Sequence, residues 1–311
     1  MEEFDVFYES DTSNEEHYED HEFSRRYQFT KAVVIDVLLP LTRAKLEKHC
    51  NRGLPIPPLI QLLTALRFYA SNSFQMVHGD LRWLSQASVS RIVKNVSMAF
   101  AEQLKQFICF PRSDTGIRRN TTKFYTTAHF PSVVGCLDCT HIPISNPGGE
   151  NAEVFRCRKG YFSLNVQVVC GPNMEIMDIV LRHPGSTHDS VIFDRSAVRA
   201  HFEAGEFRGV LLRDNGYLCR KYLLTPILNP SDEQEIGYNN AHIKTQNIIE
   251  RVFGVWKRRF PCLQNGLRHN ENNVLDPNVV SDDVEDGSVY INSNERNSQF
   301  AVRRTFVNTY F

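Results

Sequence analysis

Between residues 26 and 107 apolar positions recur every three to four residues: Val33, Val34, Val37, Leu38 and Leu41, then Leu59, Leu62, Leu63, Leu66, Phe68 and Tyr69 beyond the breaker Pro55-Ile-Pro-Pro58. That spacing draws one face of an amphipathic helix, so residues 26–110 read as an all-helical domain. Within it, 74–83 reads as one helix, Leu84-Ser85 as a tight turn, and 86–107 as a second helix capped by Ser85. Residues 111–123, with a glycine and several arginines, read as a loop. Beyond it the period changes. Val133 to Leu137 is a short apolar run, Leu164–Cys170 and Glu175–Leu181 read as strands joined by a turn at Gly171-Pro172-Asn173, and Val210–Leu212 as a further strand. A helix is expected over 187–201, capped by Ser186 or Thr187, and another over 240–259 carrying Ile248, Ile249, Val252, Phe253, Val255 and Trp256. Strand, two-stranded hairpin, helix, strand, helix is the order of an α/β domain, here 125–268, with a mixed sheet and helices on its faces.

Two of these strands end on an acid. Asp138 closes Val-Val-Gly-Cys-Leu-Asp, Asp214 closes Val-Leu-Leu-Arg-Asp, and Glu250 lies on the last helix. A carboxylate directly after an apolar run is costly unless it finds a partner. In one sheet Asp138 and Asp214 would project from the same edge, with the helix of Glu250 packed back across it. Anionic oxygens converging from rigid elements are what Mg²⁺ or Mn²⁺ needs for phosphodiester chemistry. Against this stands the fact that a chain with 36 acids offers many such triples. Rival chemistries have less support. Ser186-Thr-His-Asp-Ser190 holds the ingredients of an acyl-transfer triad, but neighbouring residues rarely converge as a triad must and no G-x-S-x-G elbow is present. Neither a Walker loop nor a G-x-G-x-x-G turn occurs, so no nucleotide cofactor is expected.

Charge is unevenly spread. The whole chain is formally −1, yet residues 1–24 hold ten acids and no Lys or Arg, and 271–311 hold seven acids against three Arg. Residues 25–270 therefore carry 19 acids and 32 basic residues. A basic body between acidic ends (1–25, read as disordered, and the 269–311 tail) suits either a phosphate-binding surface or basic side chains that merely solvate helices. Candidate DNA contacts are Gln86, Ser88, Ser90, Arg91 and Lys94 on the helix after Ser85, which is either a major-groove reader or part of a plain bundle. Arg158 and Lys159 are phosphate contacts or a solvated turn. Lys257, Arg258 and Arg259 are a backbone clamp or a basic helix end favoured by the dipole. The eight scattered cysteines suggest reduced thiols, and Cys136-x-x-Cys139 lacks the second ligand pair of a zinc site, so both read as strand packing. No apolar run approaches the ~18–20 residues of a membrane span, and no signal peptide is evident, so an intracellular protein is expected.

Five motifs stand in an order that resembles one family: Gly135-Cys-Leu-Asp-Cys-Thr-His141, Arg158-Lys-Gly160 through Ser163-Leu-Asn-Val-Gln167, Pro184-Gly-Ser-Thr-His-Asp-Ser190, Leu212-Arg-Asp-Asn-Gly-Tyr217 and Ile249-Glu-Arg-Val-Phe-Gly-Val-Trp-Lys-Arg-Arg-Phe260. The chain resembles the PIF/Harbinger-type DDE transposases and the domesticated vertebrate nuclease derived from them. The resemblance implies a ribonuclease H-like nuclease domain in which Asp138, Asp214 and Glu250 bind two divalent ions, Mg²⁺ or Mn²⁺. It further implies a helix-turn-helix over 79–100, DNA as substrate, a Myb-like or SANT-like partner, and a nuclear location with a cytoplasmic fraction. Asp189 is expected to support the site or touch DNA. Three departures stand out: Phe162 where the family usually has His, Arg213 where it usually has Gly, and Gly266-Leu-Arg268 running straight into His269-Asn270, without the apolar helix the family places between. Two readings follow: a metal-dependent nuclease or transposase, or a descendant that binds DNA or a partner without cleaving.

Overall fold

The structure, a computed structural model, describes residues 20–47, 56–73, 84–215, 218–267 and 293–311. They divide into two units, Met1–Phe107 with Lys257–Asn265 and Ile108–Trp256 with Gly266–Phe311.

The first unit is helical. In α1 (Asp20–Tyr27) the fully buried Phe23 sits 4.6 Å from the Tyr27 ring, so the acidic stretch read as unstructured to residue 25 already belongs to a helix at its end. Two aromatic side chains hold in the core a segment that its charge alone would leave in water. α2 spans 31–46, opened by Thr30 and including a π-helical stretch at Val34–Leu38. α3 (Pro58–Ser71) begins on proline, whose missing N–H costs nothing in a first turn. Its residues 59–66 are buried on every side, as in a central helix. The buried Gln61 donates Nε2 to the carbonyls of Ile56 (2.8 Å) and Leu46 (3.1 Å), satisfying chain ends on both sides of a connection. α4 (Gln86–Glu102) starts where expected: the Ser85 hydroxyl accepts from the Ser88 N–H at 3.2 Å, and Val89, Ile92, Val96 and Ala99 face inward. It stops at Glu102 rather than 107. Gln103 donates to the Phe100 carbonyl, tightening the last turn, and Leu104–Phe107 is a separate turn. The expected partner helix over 74–83 lies outside the described residues.

In the second unit the stretch read as a loop is α5 (Asp114–Ala128), capped by Ser113, whose hydroxyl accepts from the Gly116 N–H at 3.1 Å. Its inward stripe is easily missed because a polar residue occupies it: buried Asn120 donates to the Val134 carbonyl between Ile117 and Phe124. Strands β1 (Val133–Pro143), β2 (Ser163–Cys170) and β3 (Ile176–Pro184) form an antiparallel meander, with Gly171–Met174 closing the second turn. α6 (Asp189–Asp194) and α7 (Ala197–Glu203) follow as two helices, not one, because Ser196 caps a new start by accepting from the Arg199 N–H. His188, not Ser186 or Thr187, caps α6. β4 (Val210–Leu212) and β5 (Leu223–Leu224) then pair in parallel on the far side of β1, giving the order β3-β2-β1-β4-β5. α8 (Glu233–Arg259) begins seven residues before Asn240. Asp232 Oδ1 accepts from the Glu235 N–H and the Glu235 carboxylate accepts from the Ser231 N–H, a reciprocal cap. The stretch read as an acidic tail ends in α9 (Ser293–Tyr310).

Each face of the sheet is covered. Phe193, Val198 and Phe202 of α6 and α7 pack with Leu137, Val169 and Leu211 on one face. On the other, the Cys136 thiol donates to the Thr245 carbonyl of α8 at 3.5 Å, and Tyr238 donates its hydroxyl to the Thr225 carbonyl at 2.9 Å. A side chain at Gly135 would meet Val169 at 2.9 Å and Leu211 at 3.1 Å, so the strands close tightly just before the polar end of β1. Cys136 and Cys139 point to opposite faces by strand alternation, which rules the pair out as a chelate. All described cysteines are free thiols. No helix among the described residues is long and apolar enough to cross a membrane.

His242 is a pH-sensitive point of this packing. Burial pushes its pKa down to about 4, against the pull of its bond to the Leu224 carbonyl (3.0 Å), so it is neutral in the fold. A depressed histidine contributes stability that is fully present above the unfolded pKa of about 6.5 and is lost as pH falls toward 4. The loss is expected to reach about 2–3 kcal/mol at the acid end. Urea unfolding at pH 7 and pH 4.5 checks this: His242→Gln should show a visibly smaller drop between the two, and an unchanged drop refutes the assignment.

Candidate active site

β1 pairs with β4 in parallel, and the last matched residues are Cys136 and Leu212. Two residues further along each strand stand Asp138 and Asp214, so the register carries the two acids forward side by side. Asp214 follows the last residue of β4, whereas Asp138, expected at a strand end, is not at one. β1 runs on to Pro143, because the polar run Asp-Cys-Thr-His keeps its backbone bonds to β2, with Asp138 opposite Val168. Asp138 is therefore fixed on one flank by β2 and open on the other, where β4 has stopped.

Arg213 fills the space between the acids. Its side chain is fully buried, yet its guanidinium lies 3.4 Å from Asp214 Oδ1 (Nε), 3.7 Å from Asp138 Oδ1 (Nη2) and 3.3 Å from Asp189 Oδ2 (Nη2). Alternation explains how one side chain meets all three. Arg213 leaves β4 on the face of Leu211, where α6 brings Asp189, and its length lets the guanidinium turn back to the two acids at the strand ends. Asp189 is itself anchored, its Oδ1 accepting from Asn165 Nδ2 at 2.6 Å; the same amide donates to the Thr187 carbonyl. His188 and Ser190 do meet, at 2.9 Å, but as part of the cap of α6, while Asp189 between them turns to Arg213. The role of Asp189 was foreshadowed only by its place in a motif, and that of Arg213 by its standing next to Asp214 where the resembled family usually has Gly.

Burial raises the Asp138 pKa to about 6; Arg213 and the Cys139 N–H, which donates to Asp138 Oδ1 at 2.8 Å, pull it down, and Asp214 and Asp189 push it up. Carboxyls raised in this way by burial among charged partners are found at functional sites and in structural ion-pair networks alike. Glu250 is on the exposed side of α8, between the buried Ile249 and Val252. Among the described residues no three His, Cys, Asp or Glu side chains converge as a metal would require. The donor chemistry, hard carboxylate oxygens, suits Mg²⁺ or Mn²⁺. The arrangement does not, because a guanidinium already occupies the position among the acids.

The other candidate residues are spread over several elements. Gln86, Arg91 and Lys94 are exposed on α4, while Ser88 and Ser90 are half-buried, Ser88 within hydrogen-bond reach of Ser85 and Arg91. Arg158 and Lys159 are exposed in the turn before β2. Lys257 is half-buried and Arg258 exposed at the end of α8. Arg259 is already engaged: it donates to the Gln28 carbonyl (2.7 Å) and stacks on the Phe29 ring.

With these acids in place the comparisons with known proteins become informative. Residues 137–280 match the family described as DDE superfamily endonuclease. Among individual relatives, it is 38% identical over 227 residues to the Bos taurus protein named "Putative nuclease HARBI1", covering 73% of this chain and 65% of that one. The Xenopus laevis protein of the same name is 36% identical over 230 residues, covering 74% and 66%. An Arabidopsis thaliana protein, "Protein ALP1-like", is 23% identical over 246 residues, covering 74% and 60%. The chain thus spans a little under two thirds of the length of the relatives it matches best among these. No solved structure matches it.

Proposed function

We propose that the chain is a Harbinger transposase-like nuclease that hydrolyses DNA phosphodiester bonds and is competent to join the freed end to a target. The observation that carries this is the in-register pair Asp138 and Asp214 at the open flank of β1, inside a segment that matches the DDE superfamily endonucleases. Glu250 is the third acid of the reading. The strand order, with two antiparallel and two parallel pairings around β1, supports a ribonuclease H-like fold. Gln86, Ser88, Ser90, Arg91 and Lys94 would read DNA from α4, and Arg158, Lys159, Lys257, Arg258 and Arg259 would hold phosphates. Mg²⁺ or Mn²⁺, as two ions, is the cofactor of this reading. A nuclear location and a Myb-like or SANT-like partner belong to it as well.

The deciding experiment incubates the purified full chain with supercoiled DNA in EDTA, Mg²⁺ or Mn²⁺. Nicking that needs a divalent ion and disappears in Asp138→Ala, Asp214→Ala and Glu250→Gln is the expected result; cleavage that survives these changes refutes it. The buried guanidinium among the acids favours a second reading, DNA binding without turnover. Retardation of DNA that weakens steeply with salt, with no product under any ion, would establish that one instead.

A further inference from the structure

We propose that ordered water is built into the space between β2, β3 and α6, where it bridges the side chains of Asn165, Gln167 and His183. This site stands apart from the nuclease reading and holds whether or not the chain cleaves DNA.

Asn165 and His183 are directly paired across β2 and β3, and Gln167 lies two residues along β2, so all three side chains leave the sheet on the face that α6 covers. Asn165, Gln167 and His183 are exposed by only 1%, 0% and 4%. Among the described residues, four of their polar atoms have no hydrogen-bond partner: Asn165 Oδ1, both ends of the Gln167 amide and His183 Nε2. Turning the Asn165 amide over is no remedy, because its Nδ2 already donates to the Thr187 carbonyl and to Asp189 Oδ1. The residue opposite Gln167 on β3 is Val180, whose side chain offers no bond. A buried amide is costly when unpaired, and native folds satisfy such groups with protein or with ordered water. β3 supplies the room. Between the pairs Asn165–His183 and Gln167–Val180 it carries one residue more than β2, a bulge that interrupts the ladder beside these side chains. Charge selects the occupant. Burial, with Arg182 and Arg195 nearby, pushes the His183 pKa down to about 4, so the ring is neutral, as are both amides. Neutral donors and acceptors closed off from solvent suit water, which donates to Asn165 Oδ1 and both donates to and accepts from the Gln167 amide. The two amides in the motif Ser163-Leu-Asn-Val-Gln167 thereby gain a shared purpose: water holds one side of Asn165, whose other side anchors Asp189.

Water contacts of the full chain in solution test the proposal. The Gln167 side-chain amide protons, assigned by their loss in Gln167→Met, are expected to show NOE and ROE cross-peaks of opposite sign to the water resonance, the mark of a long-lived bound molecule rather than proton exchange. Absence of these peaks overturns the proposal. Gln167→Met, close in shape but apolar, is expected to lower the melting temperature by a few degrees, since the water loses partners. An unchanged or higher melting temperature would mean that the amide was unpaired, and overturns it as well. Should Gln167→Met fail to fold, a crystal structure of the wild type reads the same site. Density roughly 2.7–3.2 Å from both Asn165 and Gln167 is expected, and a Gln167 amide bonded directly to Asn165 with nothing between overturns the proposal.

Discussion

Phe130→Ala is expected to destabilise the second unit by about 3–5 kcal/mol, the cost of removing a large buried ring. Phe130 is fully buried, and its ring lies 5.3 Å from Tyr238, 5.8 Å from His242, and 5.5 Å from both Phe306 and Phe311. It thus joins the segment before β1 to the first half of α8 and to the C-terminal turn of α9 with Phe311 just beyond it. Removing the ring strips contacts from all three at once and leaves a cavity that rigid neighbours do not refill. Urea unfolding gives the size of the loss, and limited proteolysis of residues 293–311 reports whether α9 comes loose first. A loss below about 1 kcal/mol would mean that the cluster closes over the gap, and that Phe130 is not its centre.

The second large effect concerns chemistry. On the nuclease reading proposed above, Asp138→Asn is expected to reduce DNA cleavage by on the order of a hundredfold or more, since replacing a direct metal ligand should cost at least the roughly 10–100-fold of losing a group that merely supports one. Stability at neutral pH should be retained or raised. Burial lifts the Asp138 pKa to about 6, above the ordinary value near 4, so the fold binds the proton more tightly than the unfolded chain does. Stability contributed by the protonated form is therefore lost as pH rises from about 4 through 6, and asparagine removes that loss. Melting temperatures at pH 4.5 and 7.5, run beside a plasmid-nicking assay, separate the two effects. A fall of several degrees at pH 7.5 would show that the contact with Arg213 outweighs burial, and the loss of cleavage would then report folding rather than chemistry.

What could be read from the residues alone follows physical lines. β2 and β3 stand almost where expected, because continuous apolar runs flank a glycine-proline-asparagine turn. β1 was cut short at Asp138: hydrophobicity ends there, but backbone pairing to β2 does not, and pairing leaves no mark on side-chain polarity. α5 escaped because Asn120 and Gly116 interrupt its stripe, and α9 because its anchoring aromatics act only across the fold, on Phe130 and Tyr238. The two strand aspartates were visible as acids after apolar runs. Their shared guanidinium was not, since it depends on α6 bringing Asp189 to the same place. Glu250 could be placed on its helix from periodicity, but periodicity does not say which way an exposed carboxylate is turned.

The long pairing of β1 with β2 also decides where this chain tolerates changes of length. A residue gained or lost at the Gly171–Met174 turn lengthens a solvent-facing bend and leaves every strand partner as it was. The same change inside β1 shifts all later residues by one, so that Cys139 or Leu137 takes the place of Asp138 and the acid turns to the opposite face. Insertions and deletions among related sequences should therefore collect at that bend and be absent between Cys136 and Asp138, giving this part of the strand the character of a ruler against which the site is measured.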